Sequence, residues 1–336
     1  MNETSLNIAR QSWRQRLIRY APYILVGVIL IILPSFVPSY IRSVAAKFLI
    51  FAIFAMSLDL IFGYTGLWSL GHAAFFGTAG YTFGILVMKF GVDNFWLAAL
   101  VGILAAILLA ALFGIFALRV SGLRFMMVTF ALGMLLYTVV RQWYQFTRGV
   151  NGLPVARPDI GIPWFTLNDI SLYYFAFVAF AISFLVLRRI VNSPFGHALQ
   201  GIRDDECRMK HLGYNTWLYK YIAFTIAGLF AGLAGVLMVT LMRTASPYHV
   251  HFSTSVLAML FIIMGGTGTL FGAVIGTAVI VFVEFGASLL TPERWPLILG
   301  VVFVLVIKFL RGGIAPHLIR LWNKIKVRYS YGSSQN

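Results

Sequence analysis

The chain has 336 residues, 60% of them hydrophobic and only 11% charged, with a mean hydropathy of +0.88. A water-soluble domain carries roughly a quarter charged residues, so this composition excludes a soluble globular protein. The formal charge of +16 does not point to nucleic acid, because the basic residues sit in short segments beside apolar runs, where the positive-inside rule places them.

Apolar runs such as Ala98 to Ala111 are continuous and lack the alternation of a membrane β-barrel strand. The fold class read from them is all-α, a polytopic transmembrane helical bundle. Breaking the runs at Gly, Pro and charge clusters predicts about ten spans. They lie near 22–39, 44–63, 70–89, 95–118, 124–143, 171–189, 219–241, 253–267, 271–290 and 296–310.

The chain opens with a basic tail, 1–20, carrying Arg10, Arg14, Arg16 and Arg19. Arginines before an apolar run resemble a secretory signal, but Pro34 to Ser39 follow without an Ala-x-Ala site, so the run reads as a retained first span. A transmembrane domain over 21–311 and a second basic tail over 312–336 complete the division. The last tail holds Arg320, Lys324, Lys326 and Arg328 and no acid. Both ends are therefore expected on the cytoplasmic side, which an even number of spans satisfies. The same topology puts 193–219 inside, flanked by Arg188 and Arg189 and followed by Lys220, while Arg42, Lys47 and Lys89 fall outside.

Two regions are rich in glycine: Gly63, Gly66, Gly71, Gly77 and Gly80, and then Gly265, Gly266, Gly268, Gly272 and Gly276. Small residues at such spacings let helices approach closely in lipid. They equally suit broken or re-entrant helices lining a pathway. Both regions fall on the same side, which makes them poor inverted equivalents. The outer loop from Tyr144 to Ile170 carries balanced charge and is expected to be ordered by Pro154, Pro158, Pro163 and Trp164.

Intramembrane charge is costly and faces a cavity or a partner; the candidates are Asp59, His72, Arg141 and Glu284. Asp59, one turn before Gly63, either lines a pathway, caps a broken helix or bonds a neighbouring span's Ser, Thr or Arg. His249 and His251 have no acidic neighbour, and Cys207 is the only cysteine, so no metal site is expected. No Gly-Lys dipeptide exists for a Walker loop, and neither H-E-x-x-H nor G-x-S-x-G occurs. The chain is thus read as neither that kind of ATPase nor an enzyme of those types.

The inner segment from Asn192 to Gly213 is dense in charge of both signs. Pro194 and Gly196 are expected to break one helix and Gly213 to end another. It reads equally as a solvated loop or as a rigid element that a partner grips.

LDLIFGYTGLWSLGHAAFFGTAGYT, from Leu58 to Thr82, resembles the signature of LivM-type permeases of branched-chain amino acid ABC transporters. SPFGHALQGIRDDECRMKHLGYN, from Ser193 to Asn215, is similar to that family's inner coupling loop, with Asp205-Glu206-Cys207 where many importers have Glu-Ala-Ala. TRGVNGL, KYIAFTIAGLFAGLAGVLM and GGTGTLFGAVIG follow in the family's order. The resemblance implies a bacterial inner-membrane importer subunit working by alternating access. Its partners would be a second related permease, two cytoplasmic ATPase subunits that bind the ATP, and a periplasmic solute-binding protein; the chain itself would carry no cofactor. Pro194, Gly196, Arg203, Asp205, Glu206 and Gly213 would form the ATPase-coupling loop. Asp59, Gly63, Gly66, Ser69, Gly71, His72, Gly265, Gly266, Gly268 and Gly272 would border the pathway. The expected solute is a branched-chain amino acid, with urea, short amides and other amino acids as alternatives, and an ion-gradient carrier working through Asp59 or Glu284 as the competing class.

Overall fold

The structure, a computed structural model, describes residues 34, 37–158, 168–290, 295–309 and 312–317. Most of the predicted first span, the tail 1–20 and most of 312–336 lie outside the described residues, as do Pro163 and Trp164.

The long helices are α1 (Ser39–Phe62), α2 (His72–Lys89), α3 (Phe95–Ala117) and α4 (Leu123–Gln142), then α6 (Asp169–Val191), α9 (Thr216–Met242), α11 (Leu270–Leu290) and α12 (Trp295–Phe309). Shorter ones are α5 (Tyr144–Thr147), α7 (Pro194–Asp204), α8 (Glu206–His211) and α10 (Phe252–Gly265). Every span predicted between residues 44 and 310 thus coincides with a helix. Six of them, α1, α3, α4, α6, α9 and α11, are long and apolar enough to cross a membrane, and the expected figure of about ten is met only that far. The helix α10 has 14 residues, about 21 Å at 1.5 Å per residue, against roughly 30 Å of hydrocarbon.

Hydrophobic all round, α1 is the axis of the bundle, as such a helix must be. Of its most apolar stretch 94% is buried, against 33%, 22% and 28% for α3, α4 and α6, which form the outer wall. Small residues set the approach of α9. A Cβ at Gly228 would stand 2.3 Å from the Ala110 Cβ of α3, and one at Gly235 would stand 1.9 Å from the Phe76 carbonyl oxygen of α2. Gly228 and Gly232 form a G-x-x-x-G pair, the spacing that brings backbones together where lipid provides no hydrophobic drive. Side-chain caps start α3 at Asn94 and α9 at Asn215.

A feature the sequence reading lacked is a two-residue antiparallel ladder, β1 (Leu153–Pro154) on β2 (Thr244–Ala245). It ties the segment between α5 and α6 to the end of α9. Arg157 reinforces it, donating to the Thr240 carbonyl at 3.3 Å and pairing with Asp169 at 3.1 Å.

Candidate functional site: a joint at one end, a cavity at the other

The segment 193–219 is an ordered helical hairpin. Ser193 caps α7 by accepting from the Gly196 N–H, with Pro194 in the first turn, where a missing N–H costs nothing. Gly196 does not break a helix as expected but lies inside α7. A Cβ there would meet the Val191 carbonyl oxygen at 2.1 Å, so the glycine lets α7 fold back on the end of α6. Asp205 caps α8, accepting from the Arg208 N–H at 3.0 Å. Gly213 ends α8 as predicted, at φ +87°, in the left-handed region that glycine enters without strain. Ala198, Ile202 and Met209 make a small core between the two helices.

Glu206 ties this hairpin to α9, accepting from Lys220 and from Thr216 at 3.1 Å and pairing with Lys210 at 3.1 Å. Burial works against its charge, but the hydrogen bonds from Lys220 and Lys210 outweigh it and hold the carboxyl below its ordinary value. Leu212, Tyr214, Trp217 and Leu218 are exposed large hydrophobic residues beside exposed Arg208, Lys210 and His211.

Arg203 points inward. Its Nη1 donates to the Gly63 carbonyl at 2.7 Å, joining α7 to the C-terminal end of α1. One turn of α1 further in, the Asp59 Oδ1 accepts the Gly268 N–H at 2.9 Å. Gly268 lies just before α11, so the cation sits at a helix C-terminus and the carboxylate near a helix N-terminus, each where the dipole favours it. The backbones are nearly in contact: a Cβ at Gly63 would stand 2.1 Å from Asp59 Oδ1 and 2.3 Å from the Gly268 nitrogen. Gly66, at φ +75°, lies against the Arg203 side chain. Both glycine regions and the hairpin therefore meet in one joint made of Asp59, Gly63, Gly66, Arg203 and Gly268. Asp59 bonds a backbone amide rather than the Ser, Thr or Arg side chain considered from sequence, and its Oδ2 is buried without a hydrogen-bond partner among the described residues.

The other expected pathway residues lie beside the joint. His72 is fully buried, its Nε2 2.8 Å from the Ser57 Oγ and its ring stacked on Phe54. Gly71 abuts the Thr129 carbonyl of α4, and the Ala73 N–H donates to Ser255 of α10 at 2.7 Å. The Ser69 hydroxyl is buried with no partner among the described residues. Gly265, Gly272 and Gly276 clamp α10 onto α11, a Cβ at Gly265 standing 1.7 Å from the Gly272 carbonyl oxygen. Gly266, at φ +117°, turns the chain between the two helices. Gly265, Gly272 and Gly276 thus serve the close packing considered from sequence, while Gly66, Gly266 and Gly268 lie between helices at positive φ.

Sequence reasoning missed the opposite end. Lys47 of α1 and Glu284 of α11 form an ion pair at 2.9 Å, which gives the intramembrane Glu284 a partner, as its position requires. The pair borders a cavity of about 490 Å³ whose walls include Phe51, Met238, Tyr248, Leu257 and Leu260. A second cavity of about 460 Å³, which holds Arg141, adjoins it through Tyr248 and Ser253. Between the large cavity and the joint lies an aromatic layer: Phe51 contacts Phe76 and Phe261, and Phe54 contacts Phe76 and His72. No cluster able to hold a metal occurs among the described residues.

A sequence model of the family described as "Branched-chain amino acid transport system / permease component" matches residues 40–307. The permease protein LivM of the high-affinity branched-chain amino acid transport system of Salmonella typhimurium is 29% identical over 301 residues, covering 82% of this chain and 69% of the relative. LivM of Escherichia coli is 28% identical, with the same coverage. LivH of Salmonella typhimurium is 23% identical over 79% of this chain and 90% of its own length. The chain belongs to the permease-component family of branched-chain amino acid transport systems and is a multi-pass membrane transport protein of the LivM type.

Proposed function

We propose that this permease imports a branched-chain amino acid across the bacterial inner membrane by alternating access, driven by two separate ATPase subunits that dock on the α7–α8 hairpin. A second, homologous permease completes the pathway, and a periplasmic solute-binding protein delivers the solute. Both termini and the hairpin face the cytoplasm. The observation that carries the reading is the joint: the hairpin reaches the membrane helices through Arg203, and the two glycine regions meet there.

In this arrangement the exposed face of Leu212, Tyr214, Trp217, Arg208 and His211 is what an ATPase grips. Asp205, Glu206 and Gly213 keep the hairpin in shape, as cap, tie and helix end. ATP binding moves the hairpin, and Arg203 carries the displacement to Gly63 and, through Asp59, to Gly268, where α1 meets α11. The aromatic layer around Phe51 is the closed side of the pathway, and the Lys47–Glu284 end is the open side. ATP favours one state only insofar as it binds that state more tightly. An ion-gradient carrier finds less support, because Glu284 is paired with Lys47 and Asp59 Oδ1 is bound to an amide.

The test is ATP hydrolysis and L-leucine uptake by the complex that co-purifies with the tagged chain. Two ATPase subunits should accompany it, and Leu212→Asp with Arg208→Asp should release them while the helices stay folded. A chain that purifies alone and takes up leucine with an ion gradient and no ATP contradicts the reading.

A further inference from the structure

An ion pair that only neutralises an intramembrane charge has neighbours packed around it. The Lys47–Glu284 pair instead stands between two spaces, the cavity of about 490 Å³ on one side and one of about 90 Å³ toward Tyr40 and Ser288 on the other. Each of its side chains is about a quarter exposed, 25% and 24%, so the pair is not sealed into the core and both partners border open space. Tyr248 lines the same cavity; burial first, and then the charge of Glu284, push its phenol above the usual range. Against this polar end stands an apolar wall of Phe51, Met238, Leu257 and Leu260. Ligand sites have this composition, mostly apolar with a few convergent polar groups that set orientation.

We propose that the Lys47–Glu284 pair and its cavity are the solute-reading site of this chain, built for the zwitterionic head and branched side chain of an amino acid. Glu284 receives the ammonium group and Lys47 the carboxylate. The apolar side chain lies against Phe51, Met238, Leu257 and Leu260. The two protein charges satisfy one another when the cavity is empty, and a zwitterion exchanges one internal pair for two. A neutral amide or urea offers no such exchange and leaves the pair closed; an acid or an amine alone satisfies one partner and strands the other, which is the costly case. This inference rests on the permease reading above and specifies where the solute sits.

Binding of radiolabelled L-leucine to the complete complex in lipid nanodiscs, without the soluble binding protein, tests it. Saturable binding should be displaced by valine and isoleucine, but not by leucinamide, which lacks the carboxylate, or by 4-methylpentanoate, which lacks the ammonium. Lys47→Met and Glu284→Gln should each weaken it at least about tenfold, as for loss of one partner from a buried charge pair. The double variant Lys47→Met with Glu284→Leu separates a structural pair from a solute site, since apolar replacement of a purely structural pair is neutral or stabilising. It should fold and still fail to bind leucine. Full leucine binding in the double variant, equal competition by leucinamide, or no saturable binding to the unaltered complex overturns the site. ATP-driven uptake by the unaltered complex, reconstituted in liposomes with its binding protein, is measured alongside: if it occurs while the site fails, the permease reading stands, and if it is absent that reading falls as well.

Discussion

The two ends of the bundle are built from opposite materials. Around Gly63 and Gly268 the chain has removed side chains so that backbones touch, and the few polar groups there, Asp59 and Arg203, bond to main-chain atoms. Twelve residues along α1, about 18 Å at the helical rise, Lys47 faces Glu284 across space bounded by large apolar side chains. A contact between backbones has little freedom to yield, whereas rotamers around a cavity can rearrange. The close-packed end suits transmission of a displacement, and the roomy end suits the holding of something that comes and goes.

The sharpest way to break this comparison is to place one methyl group at each end. Gly63→Ala drives a Cβ into Asp59 and the Gly268 backbone and should destabilise the detergent-solubilised protein by about 1–3 kcal/mol, the range for overpacking. Gly286→Ala on α11, where nothing stands within 4 Å, should be neutral or stabilise by up to about 1 kcal/mol through helix propensity. Thermal unfolding of the two variants decides; equal shifts would erase the distinction between the ends.

Arg203→Met comes next. It removes a charge-assisted hydrogen bond, a loss of about 1.5–3 kcal/mol at the joint, and should leave ATP hydrolysis by the complex while lowering leucine uptake per ATP. Arg203→Lys should recover only part of it, because the planar guanidinium that reaches Gly63 and Asp204 together is not reproduced by an ammonium.

The smallest expected effect concerns pH. Glu206 is held below its ordinary value of 4.5, so its tie to Lys220 is fully present above that pH and is lost as pH falls through the depressed folded value. Proteolysis of the hairpin should rise on acidification below about pH 4.5, and Glu206→Gln should remove that increment while making the hairpin more susceptible at neutral pH. The pair is partly solvated, so the change should be modest.

The helices were legible because an uninterrupted apolar run such as Phe48 to Met56 or Phe95 to Ala117 has no other stable state in lipid than a helix. Ser193-Pro194 and Gly213 mark their helix boundaries by local chemistry alone. Gly196 was misread because whether a glycine breaks a helix or admits a neighbour depends on what lies beside it, here the Val191 carbonyl. The sequence places Arg203 in the coupling loop but carries no sign of the carbonyl, 140 residues away, to which it donates. Lys47 and Glu284 are 237 residues apart, and nothing in either local sequence signals the other. The β1–β2 ladder spans two residues per strand, too few for any alternation to show.

The central claim, that the hairpin and the first glycine region move together, is tested most directly by a disulfide across the joint. A Cβ at Gly66 would lie 3.6 Å from the Arg203 Cβ, within the roughly 3.5–4.5 Å that a disulfide spans. Gly66→Cys with Arg203→Cys, made with Cys207→Ser to remove the native thiol, is compared reduced and oxidised for leucine uptake and ATP hydrolysis. Reduced, the variant should hydrolyse ATP with poor uptake, and oxidation should restore uptake by rebuilding the link. Oxidation that leaves hydrolysis intact and abolishes uptake would show that the hairpin slides against the glycine region, and the joint would then not be the transmitter.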